Sequence, residues 1–291
     1  MSMHWSTVVE AQALVDMLGM ADLAVMDCRF SLASPDAGSQ AYRQSHIPGA
    51  RHVHLDHDLS DHRKQGAGRH PWPDAVDAVA TLQDLGVTPG HQVVAYDDGD
   101  GAFASRLWFL LRALGHERVA VLDGGWTRWQ ALGLPVESDE GTAIATGDPS
   151  SKASFEGRQF DAARLLDAGQ IESHLAAGGM LVDARAGERF RGEVEPLDRI
   201  AGHVPGAVNR PYAANLSEGR FKSSEALFAE FNALLGSTSP DDVAVMCGSG
   251  VTACHHLLAM EHAGVSGAKL FTGSWSGWIS DPSRPVATGN A

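Results

Sequence analysis

Cys247 lies in a short glycine-rich turn that reads Cys-Gly-Ser-Gly-Val-Thr over residues 247–252. The apolar run 243–246 precedes this turn, and a helical pattern follows it. The backbone N–H groups of a strand-to-helix turn converge, and the positive end of the helix dipole favours negative charge there. Such an environment favours a thiolate over a thiol, and the thiolate is the nucleophilic form of cysteine. The turn therefore predicts an enzyme whose nucleophile is Cys247.

The two halves of the chain carry the same short motifs in the same order. The repeated motifs are Asp-Cys-Arg at 27–29 and Asp-Ala-Arg at 183–185, His-Ile-Pro-Gly-Ala at 46–50 and His-Val-Pro-Gly-Ala at 203–207, and Gly-Gly-Trp at 124–126 and Gly-Ser-Trp at 273–275. Their nearly constant offset predicts a duplicated domain rather than a solenoid of short repeats. We expect the Asp and Arg of the first motif to form ion pairs that tie loops together.

Apolar runs of strand length alternate with helical patterns in both halves. We predict strands at 23–26, 92–96, 118–122, 180–182, 243–246 and 269–271. We predict helices at 8–18, 73–85, 103–114, directly after 125, 223–235 and 251–262. Short continuous apolar strands separated by helices are typical of parallel sheets that are covered on both faces. The predicted fold class is α/β.

A segment rich in Ser, Thr, Gly, Ala and Asp, without periodicity, separates the two halves. This composition is typical of a linker between domains. We predict a first domain over residues 1–140, a linker over 141–157 and a second domain over 158–291. A length of 291 residues suits two domains of ordinary size.

Composition excludes several classes of partner and compartment. The formal net charge is −14, and no basic cluster is present. Nucleic acid and anionic membrane surfaces both attract Lys and Arg, so neither is an expected partner. No run approaches the length of a membrane span, and the start of the chain does not resemble a signal peptide. We therefore expect a cytoplasmic protein.

The cysteine and histidine spacings do not indicate a metal site. The three cysteines, Cys28, Cys247 and Cys254, include no Cys-x-x-Cys pair, so neither a disulfide framework nor a zinc site is predicted. Five histidines between positions 52 and 70 match no standard ligand pattern either. We expect no metal and no cofactor, and a reducing compartment in which a lone thiol persists.

Together the repeated motifs and the cysteine turn resemble the rhodanese family of sulfurtransferases in its two-domain form. The resemblance covers nearly the whole chain and implies two tandem rhodanese-like domains, each a parallel sheet flanked by helices. Asp97 occupies the cysteine position of the first half. The resemblance therefore implies an inactive first domain and a catalytic second domain, in which Cys247 carries a transferred sulfur as a persulfide.

The family's six-residue loop maps onto Cys247, Gly248, Ser249, Gly250, Val251 and Thr252. We expect the backbone N–H groups from Gly248 to Thr252 to hold the terminal sulfur. Enzymes that use thiosulfate usually carry basic residues directly after the cysteine, whereas this sequence resembles 3-mercaptopyruvate sulfurtransferases. The resemblance implies transfer of sulfur from 3-mercaptopyruvate to a thiol, cyanide or a thioredoxin-like acceptor, with release of pyruvate. Thiosulfate:cyanide transfer is the alternative.

A donor that carries a carboxylate calls for guanidinium groups, which pair with it through two parallel hydrogen bonds. Arg189 matches the family's first substrate arginine. The second arginine is replaced by Leu197, and Arg199 is the predicted substitute.

The resemblance also implies proton transfer by Ser249 and His70. The family's third relay member, an aspartate, corresponds to His54 here, with Asp56 nearby. Proton transfer by the donor itself is the alternative to a relay.

Two other classes of protein share this α/β fold. Phosphatases with a Cys-x5-Arg loop need an arginine at position 253, and Ala253 stands there. Binding modules of the rhodanese type usually lack the cysteine, which describes the first half but not the second. Sulfur transfer is the predicted function.

Overall fold

The computed structural model describes residues 4–138 and 155–290. Residues 92–96 and 243–246, which are apolar except for Gln92, form the central strands of two parallel sheets. The five strands of the first sheet are β1 (Val8–Val9), β2 (Leu23–Asp27), β3 (Arg51–His52), β4 (Gln92–Tyr96) and β5 (Val119–Leu122). Their spatial order is β1-β5-β4-β2-β3. All five residues of β4 are buried, as expected for a strand covered on both faces.

The second sheet repeats this order with later strands. The remaining strands among the described residues are β6 (Leu165–Leu166), β7 (Met180–Asp183), β8 (Val208–Asn209), β9 (Leu216–Ser217), β10 (Arg220–Phe221), β11 (Val243–Met246) and β12 (Lys269–Phe271). The order β6-β12-β11-β7-β8 is that of the first sheet, and β9 and β10 form a separate antiparallel pair. The predicted duplication and the α/β class are confirmed.

Helices connect the strands in both halves. The helices of the first half are α1 (Ala11–Val15), α2 (Ala37–Gln44), α3 (Leu55–Asp58), α4 (Ala75–Asp84), α5 (Ala104–Ala113) and α6 (Gly125–Ala131). Those of the second half are α7 (Ala168–Ala176), α8 (Gly187–Phe190), α9 (Ser224–Leu235), α10 (Thr252–His262) and α11 (Ser274–Trp278).

One sequence-based assignment is wrong in part. The pattern at 8–18 predicted a single helix, but Val8 and Val9 pair with β5 as the edge strand β1. The helix α1 covers only the middle of that pattern. Tertiary pairing decides here, because two β-branched residues beside an exposed strand edge gain backbone hydrogen bonds that a helix end does not offer.

The chain forms two compact units that do not follow the order of the sequence. Residues Met1–Ser60 and Pro73–Phe160 form the first unit, and residues Asp61–Trp72 and Asp161–Ala291 form the second. The segment 61–72 therefore belongs to the unit that contains Cys247. Most of the predicted linker, residues 139–154, lies outside the described residues, and the boundaries at 140 and 158 stay predictions.

In each sheet, the last residue of one strand forms a buried ion pair. Asp27 ends β2, and its carboxylate accepts hydrogen bonds from Nε and Nη2 of Arg29, the shortest at 2.6 Å. Asp183 ends β7 and pairs with Arg185 in the same geometry, again at 2.6 Å. The guanidinium groups lie 4.7 Å from the ring centres of Trp126 and Trp275. The ion pairs expected from the Asp-x-Arg motifs are therefore present in both units.

The first unit carries a carboxylate inside its strand-to-helix loop. Both side-chain oxygens of Asp97 accept backbone hydrogen bonds, from Gly99 and Gly101 at 3.1 and 2.9 Å and from Phe103 and Ala104 at 2.8 and 3.1 Å. Burial, together with the nearby charge of Asp100, raises the pKa of Asp97 to about 6. The backbone N–H groups of this loop thus bind the carboxylate of Asp97, which is part of the same loop.

Loss of the buried pair in the first unit should destabilise the protein strongly. We expect Arg29→Met to lower the free energy of unfolding by about 3–5 kcal/mol, because Asp27 keeps a buried charge without its partner. The control is Arg191→Met, since Arg191 pairs with Glu193 on the surface at 2.8 Å and such pairs contribute about 0–1 kcal/mol. Urea unfolding of both variants measures the difference, and equal losses would contradict the prediction.

Asp97 should make stability depend on pH. Its folded-state pKa of about 6 lies above the reference value of 3.8, so the folded protein binds this proton more tightly than the unfolded chain does. The free energy of unfolding should therefore fall as pH rises from about 4 to about 6, by an amount on the order of 3 kcal/mol. The Asp97→Asn variant should lack this part of the pH dependence. Urea unfolding of both proteins at pH 4 and pH 7 tests this, and parallel pH dependences would contradict it.

Candidate active site

Cys247 follows the last residue of β11, and the chain turns over five residues before α10 begins at Thr252. The N–H group of Gly250 donates to Sγ of Cys247 at 3.1 Å, which directs the sulfur toward the loop. Gly250 has φ of 80°, a conformation that side chains with a Cβ rarely adopt. The glycine is thus required for the turn that brings its N–H group to the sulfur.

The backbone of Cys247 is fixed by the start of α11. Its N–H group donates to Oγ of Ser274 at 3.1 Å, and its carbonyl accepts the N–H group of Trp275 at 3.0 Å. Ser274 is fully buried and has φ of 49°, an unusual value for a residue other than glycine. Sequence analysis missed Ser274. The available signal was Gly125 at the equivalent position of the first half, which has φ of 51°.

The equivalent loop of the first unit shows what the cysteine loop can bind. The carbonyl of Asp97 accepts the N–H group of Trp126 at 2.8 Å, so Asp97 and Cys247 occupy matching positions. Four loop N–H groups donate to the Asp97 carboxylate. In the described part of the second unit, by contrast, the N–H groups of Ser249 and Val251 have no acceptor. The second loop therefore presents donors that can bind an anion attached to Cys247.

Ser249 and His70 form a buried hydrogen-bonded pair. Oγ of Ser249 lies 2.8 Å from Nδ1 of His70. His70 comes from the segment 61–72, which the N–H group of Arg69 attaches to Oγ of Ser276 at 2.9 Å. The structure thus brings together two of the residues that the resemblance implied.

The third relay position has a local structural role. Nδ1 of His54 accepts the N–H group of Asp56 at 3.2 Å and caps α3 in the first unit. Burial, with the nearby His57, lowers the pKa of His54, which favours the neutral ring. Neither His54 nor Asp56 is therefore shown to act as the third member of the relay.

Arg189 lies beside the loop and is held by two carboxylates. Its Nη2 donates to Glu195 at 2.7 Å and to Asp198 at 3.3 Å, and its Nε donates to Glu195 at 3.2 Å. An ideal Cβ placed on Gly248 would lie 3.5 and 3.7 Å from its two terminal nitrogens. The guanidinium group therefore lies next to the residue that follows the nucleophile.

The guanidinium group of Arg69 also lies beside Gly248. The ideal Cβ of Gly248 would lie 3.0 Å from Nη2 of Arg69. Nη1 of Arg69 donates to Asp198 at 2.7 Å, so Asp198 bridges the two arginines. Sequence analysis missed Arg69, although it directly precedes His70.

Arg199, the predicted second substrate arginine, has a different contact. Its Nη2 donates to the backbone carbonyl of Ile279, directly after α11. No hydrogen bond or ion pair between Arg199 and residues 247–252 is present in the described ranges. A substrate-binding role for Arg199 stays a prediction.

The two arginines end a chain of alternating charges that begins in the core. Nη1 of Arg185 lies 3.4 Å from Glu195, which links the buried Asp183–Arg185 pair to Arg189. Burial raises the pKa of Glu195, but hydrogen bonds from Arg189 and the backbone outweigh it, and the pKa lies below its usual value. Burial also raises the pKa of Asp198. The positive charges of Arg69 and Arg189 act in the opposite direction, but the pKa stays above its usual value.

Among the described residues, no helix combines the length and the apolar character that crossing a membrane requires.

Known proteins with similar sequences are sulfurtransferases by name. A Pseudomonas aeruginosa protein named "Probable 3-mercaptopyruvate sulfurtransferase" is 46% identical over 99% of this chain and 100% of its own length. A Mycobacterium tuberculosis protein whose name assigns it as a thiosulfate sulfurtransferase is 39% identical over the full length of both chains. The Escherichia coli 3-mercaptopyruvate sulfurtransferase is 34% identical over 98% of this chain and 99% of its own.

Solved structures agree with these similarities. The crystal structure of the Escherichia coli 3-mercaptopyruvate sulfurtransferase matches with a TM-score of 0.75 and 30% identity, over 94% of this chain and 100% of that chain. The Leishmania major 3-mercaptopyruvate sulfurtransferase matches with a TM-score of 0.78 and 28% identity, over 93% of this chain and 73% of that chain. The model of the rhodanese-like domain matches twice, at residues 10–132 and 165–281. The chain therefore belongs to the rhodanese family, with two tandem rhodanese-like domains.

Proposed function

We propose that this protein is a sulfurtransferase that moves a sulfur atom from 3-mercaptopyruvate to an acceptor through a persulfide on Cys247. The observation that carries this proposal is the set of groups around one loop. Cys247 lies in a turn of backbone donors, the Ser249–His70 pair lies at 2.8 Å beside it, and guanidinium groups lie against Gly248. These groups suit a donor that has a thiol proton and a carboxylate.

The reaction needs no cofactor, because the electron pair of the broken carbon–sulfur bond stays on the product. The thiolate of Cys247 attacks the sulfur of 3-mercaptopyruvate and forms a sulfur–sulfur bond. The carbon–sulfur bond breaks, and its electron pair goes to carbon and gives the enolate of pyruvate. The proton of the donor thiol, moved through Ser249 and His70 or directly by the donor, ends on that carbon. Pyruvate leaves, and Cys247 keeps the persulfide.

The loop backbone would stabilise the persulfide anion. The N–H group of Gly250 already donates to Sγ of Cys247 at 3.1 Å, and we assign the terminal sulfur to the N–H groups from Gly248 to Thr252. In the first unit the Asp97 carboxylate takes the equivalent donors. A carboxylate there excludes a second anion by repulsion and supplies no soft nucleophile. We therefore assign catalysis to the second domain and a supporting role to the first.

The acceptor attacks the terminal sulfur of the persulfide and frees the Cys247 thiolate. A thiol, cyanide or a thioredoxin-like dithiol has the nucleophilicity that this step requires. We propose these three classes of acceptor.

Thiosulfate is the second candidate donor, because a relative of 39% identity is named for it. Gly248 and Ser249 are neutral, so the positive charge near the loop comes from Arg69 and Arg189, which lie outside it. Those arginines are themselves held by the carboxylates of Glu195 and Asp198. A donor with one negative charge therefore fits the site better than a doubly charged one.

Intact-mass measurement tests the nucleophile and the donor together. After brief incubation with 3-mercaptopyruvate, we expect a gain of one sulfur atom that dithiothreitol removes. The Cys247→Ser variant should show no gain, whereas Cys28→Ser, which removes a buried thiol of the first unit, should gain sulfur as the wild type does. We also expect a larger kcat/KM with 3-mercaptopyruvate than with thiosulfate.

Sulfur gain by Cys247→Ser would overturn the assignment of the nucleophile. A larger kcat/KM with thiosulfate would replace the proposed donor with the second candidate and keep the persulfide mechanism.

Ser249→Ala tests proton transfer. We expect kcat with 3-mercaptopyruvate to fall by about 10²-fold, as is typical for loss of a general acid–base group. Turnover of thiosulfate should change little, because its transferred sulfur carries no proton. Ser173→Ala is the control, since its exposed hydroxyl donates to the carbonyl of Gly169 within α7. An equal loss with both donors would show that Ser249 supports the loop rather than the proton.

A further inference from the structure

His256 is a buried histidine whose ring makes no hydrogen bond. It lies in α10, its side chain is fully buried, and neither Nδ1 nor Nε2 has a partner among the described residues. Buried polar side chains almost always have a hydrogen-bond partner, and an unpaired one destabilises the folded state. The sulfur transfer proposed for Cys247 makes no use of this ring.

The first unit shows which side chain the fold accepts at this position. Helices α5 and α10 are each followed by a glycine with positive φ, Gly115 at 74° and Gly264 at 77°. The N–H group of each glycine donates to the carbonyl three residues earlier, at 3.0 and 3.1 Å. Counting back eight residues from each glycine places Leu107 opposite His256, and Leu107 is also buried. Leucine fills the equivalent place without an unpaired polar atom.

An aromatic ring and a cation lie close to His256. Phe231 of α9 packs edge-on against it, with ring centres 5.1 Å apart. The guanidinium group of Arg210 lies 4.4 Å from the centre of the same phenylalanine ring, pairs with Glu230 at 2.7 Å and donates to Oδ1 of Asn215. Arg210 thus places a fixed positive charge near the imidazole.

The helix itself and the segment after β8 add titratable groups. His255 precedes His256 on α10, stacks on Phe221 with ring centres 4.6 Å apart and meets Tyr212 edge-on at 5.2 Å. The amide of Asn215 contacts Nδ1 of His255 at 3.2 Å. None of these groups brings a negative charge to His256 at neutral pH.

The other elements that pack against α10 direct their charges elsewhere. On α9, the carboxylate of Glu230 is held by Arg210 and by Lys222, at 2.7 and 2.6 Å. The other carboxylate of α9, Glu225, interacts with His262 at the far end of α10. Strand β11 has no titratable side chain, and Lys269 of β12 donates to a backbone carbonyl. Within the described ranges, no carboxylate is hydrogen-bonded to His256.

These surroundings favour the neutral ring. Burial, together with Arg210 and His255, lowers the pKa of His256 well below its ordinary value of 6.5. A protonated ring would carry two unpaired N–H donors and a charge away from water. In the unfolded chain the ring takes up a proton near pH 6.5. The stability of the fold is therefore complete above this pH and is lost progressively as pH falls below it.

The first turn of α10 is joined to the cysteine loop through Gly250. The N–H group of Gly250 donates to Sγ of Cys247 at 3.1 Å, and its carbonyl accepts the thiol of Cys254 at 3.2 Å. Cys254 lies two residues before His256 on the same helix. Local opening of this turn, which would let water reach His256, therefore also releases a contact of the loop.

We propose that His256 is an acid-sensitive element of the second unit, whose protonation opens α10 and disorders the cysteine loop, so that activity falls reversibly in mild acid. Histidine is the side chain that changes its charge in this pH range, and its protonation drives other pH-dependent switches. Asp97 has the opposite effect in the first unit, because the folded state binds its proton more tightly than the unfolded chain does. Mild acid therefore weakens the second unit and not the first.

Thiol labelling tests the proposal without a sulfur donor. In the Cys247→Ser variant the two remaining thiols are both buried, Cys254 on α10 and Cys28 in the first unit. We expect labelling of Cys254 by dithiodipyridine, relative to the unfolded chain at the same pH, to increase on the order of 20-fold from pH 7 to pH 5. Labelling of Cys28 should not increase. Mass spectrometry of peptic peptides measures both sites.

Three substitutions in this background identify the group that takes up the proton. His256→Leu copies Leu107 of the first unit and should abolish the increase at Cys254. His256→Gln keeps a buried polar group that does not titrate, and it should abolish the increase too. His262→Leu is the matched control, because it removes a half-buried histidine from the end of the same helix, and it should keep the increase.

An unchanged increase at Cys254 in His256→Leu would overturn the proposal. An equal increase at Cys28 and Cys254 would do the same, because acid would then unfold the whole chain. Sulfur transfer from pH 7 to pH 5 should also fall more in the wild type than in His256→Leu. That second readout depends on the proposed function, whereas the labelling decides the role of His256 even if no donor supports sulfur transfer.

Discussion

The surroundings of the Cys247 loop depend on a chain of alternating charges that runs from the core to the surface of the second unit. It begins at Asp183, whose carboxylate is fully buried, and passes through Arg185, Glu195, Arg189 and Asp198 to Arg69. Each inner charge contacts opposite charges, which offsets the cost of burial. The end of the chain lies beside Gly248, where guanidinium donors remain available. The ion pair at the carboxyl end of β7 is thus linked, through Glu195 and Asp198, to the arginines beside Cys247.

The segment 61–72 contributes two groups to this site. It lies in sequence between elements of the first half, and it packs with the second unit. Hydrogen bonds from Arg69 to Ser276 and from Ser280 to Gly66 attach it close to α11. His70 and Arg69 therefore reach the loop from a part of the chain that the duplication alone would assign elsewhere. The second loop thereby has neighbouring side chains that its own half of the sequence does not contain.

The strand-to-helix loops of the two units place different groups at the same position after the central strand. In both, the carbonyl of the first loop residue accepts the N–H group of a tryptophan, Trp126 or Trp275. In the first loop the Asp97 carboxylate satisfies the N–H donors of its own turn. In the second, Cys247 offers a sulfur to one of them. The loops also differ in length, since residues 97–103 separate β4 from α5 and residues 247–251 separate β11 from α10.

The sequence by itself determined the α/β class, the duplication, the central strands and the position of Cys247, because these depend on local hydrophobic patterns and short motifs. The resemblance also pointed to Ser249, His70 and Arg189, which the structure places in or beside the cysteine loop. It did not reveal that Val8 and Val9 form an edge strand, that Ser274 fixes Cys247, or that Arg69 lies beside Gly248. Those facts depend on contacts between residues far apart in the chain, and no pattern of neighbouring residues encodes which guanidinium group lies beside the loop. Only the tertiary structure could decide them, because it sets which charges meet and which donors stay free.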